Sequence, residues 1–321
     1  MSSSSDVNSQ NVLQFSPLQS FVNPTFWHKL AELKIDFDRL SDAPKSIYGY
    51  YTNRNTKACL LEVEYSAFNS EFKAPKFCYP AVGTLYNKNT IEDFKECDKS
   101  ELLQKEGRKL LADFKNGKVL DDPSYLSRFF ILSFADLKCH NYYYWFAFPC
   151  PLTPTLGVIG EPSIFKNISE IQHFTSVIKS MPIESQNYFV IKSNKSTTVH
   201  TLKEVIREIE SKDIEIVDYY FCFANNNEFQ HPSWHMRTYA AFIFHQCLQL
   251  IGKEVKFLGL RYDNQMEIEN SLIWTVVQKE PIDFSNDETV QFVGWEPNRN
   301  NKMGPRMVSM KDSMDPTKLA E

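Results

Sequence analysis

Glycine is scarce in this sequence, with ten residues in 321, and this scarcity bears on nucleotide binding. Neither of the two glycine-rich phosphate-binding patterns, GxGxxG and GxxxxGK[ST], occurs anywhere in the chain. The nearest approach is the GVIGEP run at residues 157–162, which lacks both the spacing and a following helix. The sequence therefore predicts no ATP or dinucleotide site, and we expect this chain to bind no cofactor of that kind.

An excess of positive charge, closely spaced cysteine pairs and long apolar runs are also missing. The net charge of −5 argues against nucleic acid as a partner, because phosphate-backbone binding depends on clustered Lys and Arg. The seven cysteines include no CxxC pair, so neither a disulfide framework nor a thiolate zinc site is indicated. No eighteen consecutive residues are all apolar, and the first residues lack the features of a secretory signal. We expect a cytoplasmic protein without membrane insertion.

Aromatic side chains are plentiful, above all in the run FFILSFADLKCHNYYYWFAFP at residues 129–149. Two apolar segments of strand length flank the polar segment ADLKCHN. A membrane helix would place Asp136 and Lys138 near its centre, and a nucleic-acid platform would need more basic residues nearby. The pattern predicts two buried core strands joined by a polar connection.

Helical and strand patterns alternate along the rest of the chain. The sequence predicts one helix from about 24 to 34, another that follows an Asp98 cap and stops at Gly117, and a third with Pro232 in its first turn that ends at Gly252. We expect an α+β fold with mixed, largely antiparallel sheets and flanking helices. A disordered leader is expected at 1–11, one domain at 12–295 with a possible boundary near 151–163, and an extended arm at 296–321.

A stand-alone enzyme remains an alternative at this stage. The residues that could ligate zinc are Cys222, His231, His235, His245 and Cys247. Their spacing matches no zinc motif, and we expect the histidines to be structural and in contact with solvent. The alternative of an enzyme that uses Cys222 with His231 or His235, with or without a metal ion, stays open. A third possibility is a scaffold protein, for which residues 142–148 would have to be exposed.

Two runs of the sequence, FADLKCHNYYYWFAFP and VGWEPNRNNKMGPRMVSMKDSMDPTKLAE, combine aromatic and turn-forming residues in distinctive patterns. Both runs resemble the amino-terminal domain of the ubiquitin-like-modifier-activating enzymes of autophagy, the family of autophagy-related protein seven. Further matching segments are LQFSPLQSF, FWHKLAELKID, GTLYNKNTIEDFKECDKSELL and HPSWHMRTY. Within the two runs, the matching positions are Phe134 to Lys138, Tyr144-Trp145, Gly294-Trp295-Glu296, Pro305-Arg306 and Met314-Asp315-Pro316.

The resemblance implies a family-specific fold and a non-catalytic function. In that family the domain recruits the two ubiquitin-like conjugating enzymes of autophagy and presents them to a carboxy-terminal catalytic domain. ATP, zinc, the catalytic cysteine and dimerisation belong to that second domain. We therefore expect this chain alone to be an inactive monomer, and its full-length parent to be a homodimer located in the cytoplasm, including the preautophagosomal structure.

The resemblance also implies specific contact residues. The family's Phe-Ala-Pro element, implicated in binding conjugating enzymes, falls on Phe15, Ser16 and Pro17, with Ser in place of Ala. Pro305 and Arg306 are a second expected part of the same groove, where Arg306 would offer its planar fork to a carboxylate of the partner. An alternative role for Phe15 is to fasten the first helix to the core. The segment at residues 225–227 departs from the family's usual turn.

Overall fold

The computed structural model describes residues 12–52, 58–165, 168–182, 185–193, 197–212, 214–227, 230–262, 268 and 270–314, without the side chains of residues 168–171 and 314. The predicted leader at 1–11 and the Asp315-Pro316 pair lie outside the described residues. None of the described helices is both long and apolar enough to cross a bilayer.

The strands fall into two sheets. In chain order they are β1 (Gln19–Val22), β2 (Lys45–Thr52), β3 (Leu60–Val63), β4 (Cys78–Lys88), β5 (Phe129–Asp136), β6 (Asn141–Pro151), β7 (Gly157–Val158), β8 (Ser163–Ile164), β9 (Tyr188–Ser193), β10 (Thr197–His200), β11 (Tyr219–Ala224), β12 (Glu254–Leu260), β13 (Leu272–Val277), β14 (Phe292–Trp295) and β15 (Arg306–Ser309). The first sheet has the order β1-β3-β2-β4-β5-β6-β14, with β15 also paired to β6. The second has the order β10-β9-β11-β12-β13-β7, with β8 also paired to β13.

The α-helices of the described residues are α1 (Pro24–Leu33), α2 (Ile91–Glu96), α3 (Lys99–Lys115), α4 (Lys118–Asp121), α5 (Ile168–Ser180), α6 (Leu202–Ser211), α7 (Trp234–Gln246) and α8 (Lys311–Met314). A π-helical turn, Lys34–Asp38, extends α1, and short 3₁₀ turns lie at Tyr65–Phe68, Pro123–Ser127 and Leu248–Leu250. The predicted cap of α3 is confirmed, since the Asp98 carboxylate accepts the Glu101 backbone N–H at 2.9 Å.

Strand directions agree with the expected fold class. Pairing is parallel between β1 and β3, between β4 and β5, and between β11 and β12. The other paired strands, such as β5 with β6 and β12 with β13, run antiparallel. The prediction of an α+β fold with mixed, largely antiparallel sheets is therefore confirmed.

Both faces of the sheets are covered, because alternate strand residues point to opposite faces. On β5, Phe130 belongs to one core cluster, which also contains side chains of α3, α6 and α7. Its neighbour Phe129 belongs to a second cluster, which contains Phe26 and Trp27 of α1 and Phe174 of α5. Helices α3, α6 and α7 thus contribute most of their buried side chains to one cluster, and α1 and α5 contribute theirs to the other.

The aromatic run at residues 129–149 forms core strands as predicted. Its two halves are β5 and β6, joined by a turn in which the Asp136 carboxylate accepts the Cys139 backbone N–H at 3.0 Å. Four alternate aromatic side chains of β6 are buried: Tyr142, Tyr144, Phe146 and Phe148. The scaffold hypothesis, which required this segment to be exposed, gains no support.

The start and end of α7 differ from the sequence-based expectation. The helix begins at Trp234 with Ser233 as its N-cap, so Pro232 precedes the cap and does not lie in the first turn. The reason is a distant pairing: the Ser16 N–H donates to the Pro232 carbonyl at 2.8 Å, and the Trp234 N–H donates to the Ser16 carbonyl at 3.0 Å. These bonds keep the backbone extended through Ser233. The helix also ends at Gln246, before the predicted stop at Gly252.

Residues of the predicted arm, 296–321, take part in the first sheet. β14 and β15 pair with different parts of the same strand, β6, and residues 296–305 connect them. Near the predicted boundary at 151–163, the chain leaves the first sheet at Pro151 and enters the second at Gly157. The division into domains stays a prediction.

Candidate partner-binding cleft

A cleft of about 420 Å³ lies where strand β1 approaches β15, at the two edges of the curled first sheet. Its lining residues come from β1 and the residues just before it, from β6, from β15 and from the segment that joins β14 to β15. They are Pro17, Leu18, Gln19, Ser20, Phe21, Val22, Tyr144, Glu296, Pro297, Asn298, Arg299, Asn301, Arg306 and Val308. Pro17 and Arg306, which the sequence assigned to one groove, thus line the same cleft.

The two edges of the sheet are joined by Ser20, Glu296 and Arg306, which we call the clasp. The Ser20 backbone N–H donates to Glu296 Oε1 at 2.9 Å, and the Ser20 hydroxyl donates to Glu296 Oε2. Arg306 Nη2 lies 2.8 Å from Glu296 Oε1, and Arg306 Nη1 donates to Ser20 Oγ at 3.1 Å. Arg306 Nη2 also donates to the Pro297 carbonyl at 2.8 Å. The clasp therefore ties β1 to the chain on both sides of the 297–305 segment.

The hydrogen-bond pattern of the clasp suits a charged pair, although burial leaves the pKa of Glu296 above its usual value. Burial raises the pKa of Glu296, while Ser20 and Arg306 act in the opposite direction. The groups that contact the Glu296 carboxylate are all hydrogen-bond donors, which is the pattern expected for the ionised form. Burial opposes the charge of Arg306, yet Glu296 and the Tyr144 hydroxyl together raise the pKa of the guanidinium. The Arg306 guanidinium is thus engaged within the chain, by Glu296, Ser20 and the Pro297 carbonyl.

The predicted contact element at residues 15–17 lies beside the cleft. Phe15 is half-buried against the core cluster that contains α3 and α7, and the Arg237 guanidinium lies 5.9 Å from its ring centroid. Ser16 is buried, and its hydroxyl donates to the His231 carbonyl at 3.1 Å. Pro17 is exposed at the rim of the cleft. The element therefore anchors itself through Ser16 and presents Pro17 and part of Phe15 outward.

The structure also bears on the expected packing of Phe15 on the first helix and on the expected place of Pro305 in the groove. Phe15 does not pack with α1, because Phe26 and Trp27 of that helix belong to the opposite core cluster. Pro305 is exposed next to Arg306 but does not line the cleft. The roles of these residues in binding stay predictions.

Sequence reasoning missed Glu296, Tyr144 and Arg299 as cleft residues. Glu296 was noted only as part of a Gly-Trp-Glu match, and its ion-pair partner lies ten positions away across a loop. The Tyr144 hydroxyl lies at the cleft near two guanidinium groups: burial raises the pKa of Tyr144, while Arg306 and Arg299 lower it. No local sequence signal connects these positions.

The zinc and cysteine alternative finds no assembled site. Among the described residues, no group of three or more His, Cys, Asp and Glu side chains could hold a metal ion. Cys222 is fully buried, and burial raises the pKa of its thiol well above the usual value. His231 is exposed as expected, but His235 is only 3% exposed, so the prediction that it contacts solvent is wrong. It is buried because the first turn of α7 places its ring against Tyr51 and Tyr188.

A family model matches nearly the whole chain. The family is described as "Ubiquitin-like modifier-activating enzyme ATG7 N-terminus", and residues 13–314 match it. Among curated proteins, the ATG7 enzymes of Gallus gallus and Homo sapiens are 34% and 33% identical to this chain, over 96% of its length. The chain spans about half the length of these relatives, 45% in both cases.

Solved structures show the same fold. The Kluyveromyces marxianus Atg7NTD superposes with a TM-score of 0.66 at 22% sequence identity, covering 93% of this chain and 98% of that one. The K. marxianus Atg7NTD–Atg10 complex matches with the same TM-score and identity, covering 93% of this chain and 97% of that one. The expectation of a family-specific fold is therefore confirmed.

Proposed function

The chain belongs to the family of the ATG7 amino terminus, and from this premise we propose that it recruits the ubiquitin-like conjugating enzymes of autophagy. The observation that carries the proposal is the clasped cleft with Pro17 at its rim and the half-buried Phe15 beside it. In this role the chain binds a flexible segment of the conjugating enzyme and performs no chemistry itself. The K. marxianus relative solved as a complex with Atg10 supports a partner of this class.

The geometry suits an extended or short helical segment as the bound form. The cleft is open to solvent along β1, a strand at the edge of the first sheet. Its walls include apolar side chains on both sides, among them Leu18 and Val308, and the clasp holds these walls at a fixed separation. A preformed groove of this kind can take a strand or helix from a flexible partner region.

We further propose that recruitment acts by tethering. In the full-length parent, which we expect to be a cytoplasmic homodimer that also acts at the preautophagosomal structure, ATP, zinc and the catalytic cysteine belong to a second domain. Binding a conjugating enzyme here raises its effective concentration near that domain. The tethered enzyme then receives the modifier by thioester transfer, and this chain alone is expected to be inactive.

The test is calorimetric titration of this chain with the flexible-region peptide of a conjugating enzyme of the pathway. We expect saturable binding at micromolar concentrations. A Phe15→Asp, Pro17→Asp double variant is expected to bind at least about 30-fold more weakly, because buried interface anchors contribute ~2 kcal/mol or more. Circular dichroism checks that the variant remains folded.

A matched control is the Val217→Asp, Leu248→Asp double variant, which adds the same charge at two exposed apolar residues that do not line the cleft. It should bind as the wild-type chain does. Wild-type binding that survives the substitutions at Phe15 and Pro17 would move the site elsewhere. Absence of binding by the wild-type chain to any conjugating enzyme of the pathway would overturn the proposed function.

A further inference from the structure

The charged groups of the cleft do not cancel. Its lining contains one carboxylate, Glu296, and two guanidinium groups, Arg299 and Arg306. Glu296 is occupied by Arg306 and by both donors of Ser20. The clasp is therefore close to neutral as a unit, and the charge of Arg299 is left uncompensated within the cleft.

Arg299 is exposed and forms none of the ion pairs found within the described part of the chain. It stands in a loop with several internal hydrogen bonds. The Asn298 side-chain oxygen accepts the N–H groups of Asn300 at 3.0 Å and Lys302 at 3.2 Å, and the Asn298 N–H donates to the Lys302 carbonyl at 2.8 Å. The clasp fixes the start of the same loop through the Pro297 carbonyl. A hydrogen-bonded loop thus presents to the cleft a guanidinium that has no ion-pair partner among the described residues.

The position of Arg299 relative to the cleft floor supports this assignment. Its positive charge acts to lower the pKa of the buried Tyr144, as the charge of Arg306 also does. Polar side chains that can donate hydrogen bonds, Gln19, Asn298 and Asn301, also line the cleft. Apart from Ser20 and Tyr144, the remaining lining residues are apolar. The cleft therefore combines apolar surface with a local site for an anionic group.

The charge of the whole chain makes a local site necessary for an acidic partner. The net charge is −5, so the overall field of the chain repels acidic segments. An acidic residue can be accepted only where a cation lies close by, and a guanidinium is well suited because it can bind a carboxylate with two parallel hydrogen bonds. Charge complementarity within the cleft therefore points to one kind of occupant.

We propose that the cleft selects a partner segment in which apolar residues flank an aspartate or glutamate, and that Arg299 binds this carboxylate. This inference rests on the proposed function and adds the chemistry that the docked segment must have. Arg306 takes no direct part in binding the partner, because it holds the clasp. Arg299 is accordingly the residue that distinguishes acidic from neutral segments.

The experiment is a double-mutant cycle measured by calorimetry. The protein arm compares the wild-type chain with Arg299→Gln, and the peptide arm compares the conjugating-enzyme segment with a version in which each Asp and Glu is replaced by Asn or Gln. We expect each single change to weaken binding about tenfold, and the two changes together to weaken it by little more than either alone.

The matched control is Lys302→Gln, which removes the same charge from the same loop at an exposed residue that does not line the cleft. Its affinity should stay within about twofold of wild type. The role of Arg299 would be overturned if Arg299→Gln and Lys302→Gln changed the peptide affinity equally, or if the two changes in the cycle were fully additive. Either result would leave recruitment intact. Loss of all binding by the wild-type chain would instead count against recruitment itself, so the two failures are distinguishable.

Discussion

His235 should make the stability of this protein strongly dependent on pH. Its ring is 3% exposed in the core and lies edge-on to Tyr51, with ring centroids 4.3 Å apart. Neither ring nitrogen makes a well-formed hydrogen bond within the described residues. Burial lowers the pKa of His235 to about 3, and the Ala224 backbone opposes this effect only in part. The folded protein therefore holds a neutral imidazole throughout the mildly acidic range.

The size of the effect follows from linkage. The unfolded chain binds a proton at this histidine below about pH 6.5, whereas the folded chain does so only below about pH 3. The contribution of His235 to stability is therefore fully present above pH 6.5 and is lost as the pH falls toward 3. Between pH 7.5 and pH 5 the expected loss in the free energy of unfolding is about 2 kcal/mol.

The assay is urea unfolding at pH 7.5, 6 and 5 for wild type and His235→Phe. His200 and His245 also have pKa values lowered chiefly by burial, so their contributions have the same sign. The informative quantity is therefore the free energy of unfolding of wild type minus that of His235→Phe. This difference should fall by about 2 kcal/mol between pH 7.5 and pH 5. A His231→Asn variant, at an exposed position, should follow wild type. A wild-type curve parallel to that of His235→Phe would refute the reasoning.

Two further predictions concern the clasp and the packing of α3. Arg306→Met should lower the free energy of unfolding by about 3–5 kcal/mol because it leaves the Glu296 charge buried and unpaired, and adding Glu296→Met should recover most of that loss in urea unfolding. A cost below about 1 kcal/mol for Arg306→Met would show that the pair is solvated. Gly107→Ala should destabilise by about 1–3 kcal/mol in the same assay, although alanine favours helices. The reason is that its Cβ would stand 2.2 Å from the Phe292 ring, and an unchanged stability would contradict this packing.

Local patterns in the sequence predicted the elements but not how distant elements pair. The strands at residues 129–149 and the helix after Asp98 were predictable because alternation, capping and apolar spacing are local signals. The start of α7 was not, because the backbone around Ser233 is set by Ser16, 217 positions earlier in the chain. The placement of β15 beside β6 depends in the same way on contacts that no local pattern encodes.

The candidate site was predictable only in part for a similar reason. Residues 15–17 and the Pro305-Arg306 pair were expected from a family resemblance, and the structure brings Pro17 and Arg306 to one cleft. What the sequence could not indicate is that Arg306 is already paired. Its partners Ser20 and Glu296 are separated from each other by 276 positions, and only the curling of the sheet brings them together.

The clasp separates two tasks that one arginine could not perform together. An arginine held in a buried pair keeps the walls of the cleft in position before a partner arrives, which reduces the ordering cost on the side of this chain. The same arginine is then a poor choice for reading the partner, since each new contact would compete with Glu296. A second arginine, in a loop that the clasp supports, can bind a carboxylate without weakening the frame. Affinity would then come mainly from the apolar walls, and selectivity for an acidic segment from Arg299.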